Sequence, residues 1–187
     1  MKQAAVILAP GFEEGESLTL ADILRRAGFV CDLVGFEPLV EGAHGIKVQS
    51  DVLLTDLDPE QPGYEMIVLP GGMPGATNLK DSDLLMEILR NMDRQGKWIA
   101  AMCAAPIALE RAGLLDGKRF TAYVGYDEKI RAGYFQEDIV VKDHNLLTSR
   151  GPATAYAFGY ALVDVLGGDS QAVKNRMVYQ NAFQEVQ

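Results

Sequence analysis

The chain has 187 residues, 48% hydrophobic and 23% charged, with a formal net charge of −9 and an isoelectric point near 4.7. That is the composition of an ordinary globular protein, and residues 1–187 are read as one domain. The acidity argues against a nucleic-acid partner, and no run approaches the roughly 20 apolar residues that span a bilayer, so no membrane partner is expected either.

Ala5–Leu8 is a short apolar run ended by Pro10-Gly11 and predicts a buried strand. It is too short for a signal-peptide core, so a cytoplasmic protein is the expectation. Glu16–Ala27 has helical spacing at Leu20, Ile23 and Leu24 and stops at Gly28; Phe29–Gly35 is the second strand. Gly42–Thr55 reads as extended structure turning near Gly45. Met66–Leu69 is a strand cut off by Pro70-Gly71-Gly72, Asp83–Met92 a helix, and Trp98–Met102 an apolar strand with the helix Pro106–Ala112 directly behind it. Arg119–Val124 is predicted as a strand, Asp138–Lys142 and Leu146–Ser149 as a hairpin, and Thr154–Leu166 as the closing helix, with a shorter helix after Ser170. Strands apolar on both faces and separated by helices predict an α/β fold: a flavodoxin-like (Rossmann-like), mostly parallel sheet sandwiched between helices.

Ligands of such sheets bind beyond the carboxyl ends of the strands, where Pro10–Gly15, Pro70–Gly75 and Cys103–Pro106 are expected to meet. In Ala100-Ala101-Met102-Cys103-Ala104-Ala105-Pro106 the strand ends on a cysteine and a helix begins at once, flanked by residues small enough for a nucleophile elbow. The positive end of that helix would lower the thiol pKa from about 8.5, and the N–H groups of Ala104, Gly71 and Gly72 would bind an oxyanion. Strand–Cys–helix alone is equally compatible with a small buried core thiol. Cys31, inside the second strand, reads as such a core thiol. No disulfide, zinc spacing, GxGxxG or P-loop is present, so neither a cofactor nor a metal is implied.

Four segments in order, Ala9-Pro10-Gly11-Phe12-Glu13-Glu14-Gly15-Glu16, Val68-Leu69-Pro70-Gly71-Gly72, Ala100 to Pro106, and Leu147-Thr148-Ser149-Arg150-Gly151-Pro152, resemble the ThiJ/PfpI superfamily. More narrowly they are similar to its parkinsonism-linked deglycase and bacterial YajL-like branch, across nearly the whole chain. The resemblance implies that Cys103 is the reactive thiol and Glu16 the carboxylate beside it; two adjacent anions are disfavoured, so the pair is expected to keep one proton, held mainly by Glu16 while Cys103 ionises. It also implies a homodimer. Glu13 and Glu14 read as solvated loop charges, and His44 and His144 as exposed. Ala104 stands where other branches place a histidine, which removes a compact Cys-His pair and argues against proteolysis. Tyr123 stands where related deglycases often carry another histidine; a tyrosine donates a hydrogen bond but is no base near neutral pH. Arg150, Gly151 and Pro152 are expected to line the pocket or cap the last long helix.

The implied activity is cysteine-dependent, cofactor-independent glyoxalase or deglycase-like chemistry on a small reactive carbonyl, methylglyoxal or its adducts. The alternative is a redox-responsive stress protein in which Cys103 oxidises to a sulfinate without turnover. A thiazole-biosynthesis role, as the ThiJ label implies, finds no matching thiazole or phosphate motif and ranks last.

Overall fold

The computed structural model describes residues 3–183. β1 (Gln3–Leu8) is buried from Ala4 onward, as a strand covered on both faces must be. α1 (Glu14–Arg26) follows, and β2 (Val30–Gly35) returns parallel to β1 with Ala4 opposite Cys31 and Ile7 opposite Val34. β3 (Leu39–Glu41) and β4 (Lys47–Gln49) make a small antiparallel hairpin, and β5 (Val52–Leu53) pairs with the end of β2. After β6 (Met66–Leu69) come α2 (Gly75–Asp81) and α3 (Asp83–Arg94), then β7 (Trp98–Met102) and α4 (Pro106–Ala112). β8 (Arg119–Phe120) pairs with β9 (Tyr134–Phe135); β10 (Val140–Asp143) and β11 (Leu146–Ser149) form a hairpin; α5 (Ala155–Val165) and α6 (Ser170–Arg176) follow.

The main sheet runs β10-β11-β7-β6-β1-β2-β5, parallel except for β10 against β11. β1 leads to β2 in one direction along the sheet and β6 leads to β7 in the other. Right-handed crossovers therefore put α1 on one face and α2–α3 on the opposite face. α5 packs on α1, and α4 on α2 and α3, which completes the two helical layers. The crevice where strand order reverses lies beyond the ends of β1 and β6, with β7 beside them.

Local chemistry sets the helix boundaries. The Ser82 side chain accepts from Leu85 N–H at the start of α3 and Asp169 from Ala172 N–H before α6, while Pro106 opens α4 and Gly113 ends it at φ 76°. Two expectations need correction. The predicted Arg119–Val124 strand stops at Phe120 and stays outside the main sheet, because Thr121 N–H bonds the Thr148 hydroxyl and Tyr123 N–H bonds the Cys103 carbonyl. The extended segment expected at Gly42–Thr55 is interrupted: Gly42 and Gly45 lie in the β3–β4 turn, and Leu54–Asp56 is a 3-10 turn. Helix α2 occupies Gly75–Asp81, a stretch beyond the expected Pro70–Gly75 loop for which no element is predicted.

α1 and α5 approach closely at Gly159, where a Cβ would lie 2.6 Å from Ile23 Cδ1 and 3.3 Å from Ile23 Cβ. Gly159→Val is expected to cost about 1–3 kcal/mol through overpacking. Urea unfolding should move to a lower midpoint with unchanged slope; an unchanged midpoint would mean that the helix pair yields without loss.

Candidate active site

Cys103 sits just past the last residue of β7 with φ 59°, a left-handed backbone that a residue with a Cβ adopts at a cost of about 1–3 kcal/mol. Its surroundings pin this conformation. Its N–H donates to Ser149 O at 3.0 Å at the end of β11, and its carbonyl accepts from Tyr123 N–H at 2.9 Å. Ala104 and Ala105, both buried, allow the chain to turn directly into α4. The thiol projects into the crevice and accepts hydrogen bonds from the backbone N–H groups of Ala104 and Gly72.

Glu16 reaches the same point from the first turn of α1. Its side chain is fully buried; Oε2 accepts from Gly71 N–H at 2.7 Å, and Oε1 has no hydrogen-bond partner among the described residues. A side-chain hydrogen bond links Glu16 and Cys103. The expected oxyanion role of Gly71 is thus corrected: its N–H is committed to Glu16, which leaves Gly72 and Ala104 as donors near sulfur. Gly71 has a different constraint. A Cβ there would fall 2.5 Å from Cys103 Cβ and 3.0 Å from both Cys103 Sγ and Glu16 Oε2. Only glycine lets the loop close on the pair.

Burial pushes Glu16 from 4.5 up to about 7 against the hydrogen bonds that favour its ionised form. Burial, followed by the adjacent Glu16 carboxylate, pushes Cys103 up to about 12. This reverses the lowered thiol pKa expected from the helix terminus: α4 has only seven residues, and desolvation together with a neighbouring anion outweighs its dipole. Below about 7 both groups are therefore protonated; above it the pair keeps one proton, resting mainly on Cys103 rather than on Glu16 as expected. The thiolate forms when that proton sits on Glu16, where repulsion vanishes and the two N–H groups stabilise the sulfur charge.

Tyr123 lies in a loop, 48% exposed, rather than on a strand. Gly151 is buried, and a Cβ on it would stand 3.4 Å from the Tyr123 ring. Pro152 is exposed at the start of a 3-10 turn. Arg150 neither caps α5 nor enters the crevice: Nη1 donates to Glu137 O, Nε to Ala122 O, and the guanidinium rests 6.0 Å from the Phe135 ring, tying loops together. Tyr126, which the sequence reading did not single out, is 8% exposed and close enough to feel the Cys103 charge. No spacing or motif in Gly125-Tyr126-Asp127 pointed to it.

Glu13 and Glu14 are not solvated loop charges. Glu13 caps α1 by accepting from Glu16 N–H at 2.5 Å, and Glu14 is 3% exposed. Burial opposes Glu14 ionisation, but bonds from the His44 ring, His44 N–H and Ile46 N–H outweigh it and hold the carboxyl below its usual range. Glu13, Glu14 and His44 offer ligand atoms within 4.8 Å of one another, the grouping among the described residues with metal-ligand geometry. Glu14 already spends both oxygens on the β3–β4 turn, so the group reads as a clasp. His44 and His144 are exposed, as expected, and Cys31 is buried with its thiol pushed up by burial to about 12. A cleft of about 370 Å³ beside β10 and α5, lined by Asp138, Tyr160, Asp164 and Lys174, shares no residue with the thiol site.

The raised Glu16 pKa fixes a pH dependence. Between 4.5 and about 7 the folded state binds a proton that the unfolded chain releases, so this stabilisation is complete below 4.5 and lost as pH rises through about 7, roughly 3 kcal/mol in all. Chemical denaturation from acid to mildly alkaline pH should show Glu16→Gln losing less stability than wild type over that interval. Parallel curves would mean that Glu16 titrates normally.

The family model described as DJ-1/PfpI matches residues 2–165. The Drosophila melanogaster protein dj-1beta is 39% identical over 173 residues, covering 89% of this chain and 90% of its own. The Caenorhabditis elegans protein named glutathione-independent glyoxalase DJR-1.2 is 32% identical, with coverage of 89% and 90%. The solved structure of Drosophila DJ-1beta superposes with a TM-score of 0.89 at 37% identity, covering 95% of this chain and 97% of that one. Oxidised Toxoplasma gondii DJ-1 superposes with a TM-score of 0.90 at 32% identity, covering 95% and 98%. With its doubly wound sheet and a strained cysteine at the end of β7, the chain belongs to the DJ-1/PfpI family.

Proposed function

We propose that the protein is a cofactor-independent, cysteine-dependent enzyme of the glyoxalase or deglycase type, acting on methylglyoxal or its thiol or amine adducts. One observation carries this reading: a thiol on a left-handed elbow, with Ala104 and Gly72 N–H groups aimed at it and a buried carboxylate that shares its proton. Cys103 is only 9% exposed, which suits a small substrate. The glyoxalase name of the nematode relative points the same way.

In this reading, Cys103 sulfur bonds to the aldehyde carbon as its proton passes to Glu16, and Glu16 returns that proton to the aldehyde oxygen. The regenerated carboxylate takes the hydrogen of the former aldehyde carbon, giving an enediolate, and delivers it to the adjacent carbon as the first carbon's hydroxyl proton passes to the neighbouring oxygen. The product is a lactoyl thioester; water cleaves its C–S bond, lactate leaves and the thiol is restored. No net oxidant or reductant is needed. Lactate release from methylglyoxal is expected for wild type, with loss to background in Cys103→Ser and a drop of about a hundredfold or more in Glu16→Gln. Equal lactate from wild type and Cys103→Ser would end this reading.

A second reading rests on the same two N–H donors, which suit an oxygen-bearing sulfur as well as a thiolate. Hydrogen peroxide would convert Cys103 thiolate to sulfenate with loss of water, and a second equivalent would give sulfinate. The Toxoplasma relative is one solved in an oxidised form. Intact mass and peptide mapping after mild peroxide should place two oxygens on Cys103. Oxidation confined to methionines would remove this reading.

A further inference from the structure

β11 ends at Ser149, and the chain leaves the sheet with Arg150. The bond from Cys103 N–H to Ser149 O at 3.0 Å is the last rung between β7 and β11, so the carbonyl that holds the elbow belongs to a strand terminus. Strand ends open easily unless something else ties them. Here a side chain does. Ser149 is fully buried, and its hydroxyl donates to Ile139 O at 2.6 Å, one residue before β10.

The same hydroxyl oxygen lies 2.7 Å from Thr154 Oγ1, which accepts from Gly151 N–H at 3.1 Å. Ser149 has one hydroxyl proton and gives it to Ile139, so the Thr154 proton fills the contact between the two hydroxyls. Gly151 O, 2.9 Å from Thr154 Oγ1, is already served by Thr154 N–H at 2.9 Å. The bonds therefore run one way: Gly151 N–H to Thr154, Thr154 O–H to Ser149, Ser149 O–H to Ile139 O. Bonds in series polarise and strengthen one another. This relay bolts together the start of β10, the end of β11 and the 3-10 turn before α5. It also reaches the other side of the elbow. A Cβ on Gly151 would stand 3.4 Å from the Tyr123 ring, and Tyr123 N–H holds the Cys103 carbonyl.

We infer that Ser149 is a positioning residue for Cys103: its hydroxyl, fed by Thr154, fixes the carbonyl that keeps the nucleophile in its left-handed conformation. This rests on reading Cys103 as the reactive thiol. Both hydroxyls bond backbone and each other, so their influence on sulfur passes through the elbow. The left-handed backbone is strained and persists only under restraint. With the terminal carbonyl free to swing, Cys103 relaxes and its sulfur withdraws from Glu16 and from the Ala104 and Gly72 N–H groups.

The test follows labelling of Cys103 by methyl methanethiosulfonate across pH, with peptide mapping to separate it from Cys31. The cysteine sulfur bonds to the methylthio group, the reagent's S–S bond breaks, and methanesulfinate leaves. The titratable groups that face the thiol are Glu16, with the Glu13 charge behind it, and Tyr126. In wild type, loss of one proton near 7 creates the state from which thiolate forms, so labelling rises through about 7 and then levels. Ser149→Ala and Thr154→Val should each label about five- to tenfold more slowly at pH 8 and lose the step near 7. Thr154→Ser, which keeps the hydroxyl, should match wild type. Ser82→Ala removes the α3 cap far from the relay and serves as the control for lost stability alone. An unmoved step in both relay variants, or the same slowing in Ser82→Ala, overturns the inference. Thr154→Val carries the test if Ser149→Ala does not fold. Lactate assays on the same proteins address the proposed activity separately. Wild type without lactate release but with the labelling loss in the relay variants would reject methylglyoxal turnover and keep the role of Ser149. Lactate release with unaltered labelling in those variants would do the reverse.

Discussion

Holding Cys103 at φ 59° is the constraint from which the rest of the site follows. The strand β7 would otherwise run on, with its next side chain turned into the sheet. The left-handed residue lifts the sulfur above the sheet edge and starts α4 immediately, so the amide of Ala104 points back at it. Such a conformation survives only where neighbours over-determine it. Here Ser149 fixes the N–H side and Tyr123 the carbonyl side, and both belong to segments that are distant in the chain.

The second constraint is electrostatic. Glu16 and Cys103 lie in a space too dry for two charges, with Gly71 allowing approach that no larger residue would permit. Neither group is well described alone. Their shared proton decides whether the site presents an inert thiol beside a carboxylate or a thiolate beside a carboxylic acid. Moving that proton requires no movement of the backbone. The Glu13 cap and the Glu14–His44 clasp fix the first turn of α1, so the position of Glu16 is inherited from its two neighbours in sequence.

Much of this was legible from the chain alone, for identifiable reasons. Fully buried parallel strands must be continuously apolar, so Ala5–Leu8, Met66–Leu69 and Trp98–Met102 stand out. An elbow needs small residues and a prompt helix, which the Ala–Met–Cys–Ala–Ala–Pro run displays. What stayed hidden depends on tertiary partners. Glu14 carries the same carboxylate as any loop acid; only the turn folded over it makes it a buried acceptor. Tyr126 and Tyr123 share a turn and differ only in which one the fold covers. Helix α2 begins at glycine and includes Thr77 and Asn78, poor helix formers whose conformation is decided by packing on α4. The thiol pKa went the other way because burial is invisible in a sequence motif.

The bond from Cys103 N–H to Ser149 also has a temporal meaning. During synthesis, β7 leaves the ribosome more than forty residues before β11. Until β11 docks beside β7, nothing closes the amide side of the elbow, and the cysteine remains an ordinary thiol on a flexible segment. The elbow's geometry is therefore completed late, when the chain has already enclosed the residues that restrain it. A nascent or partly degraded chain would carry Cys103 without the strained backbone that holds it beside Glu16.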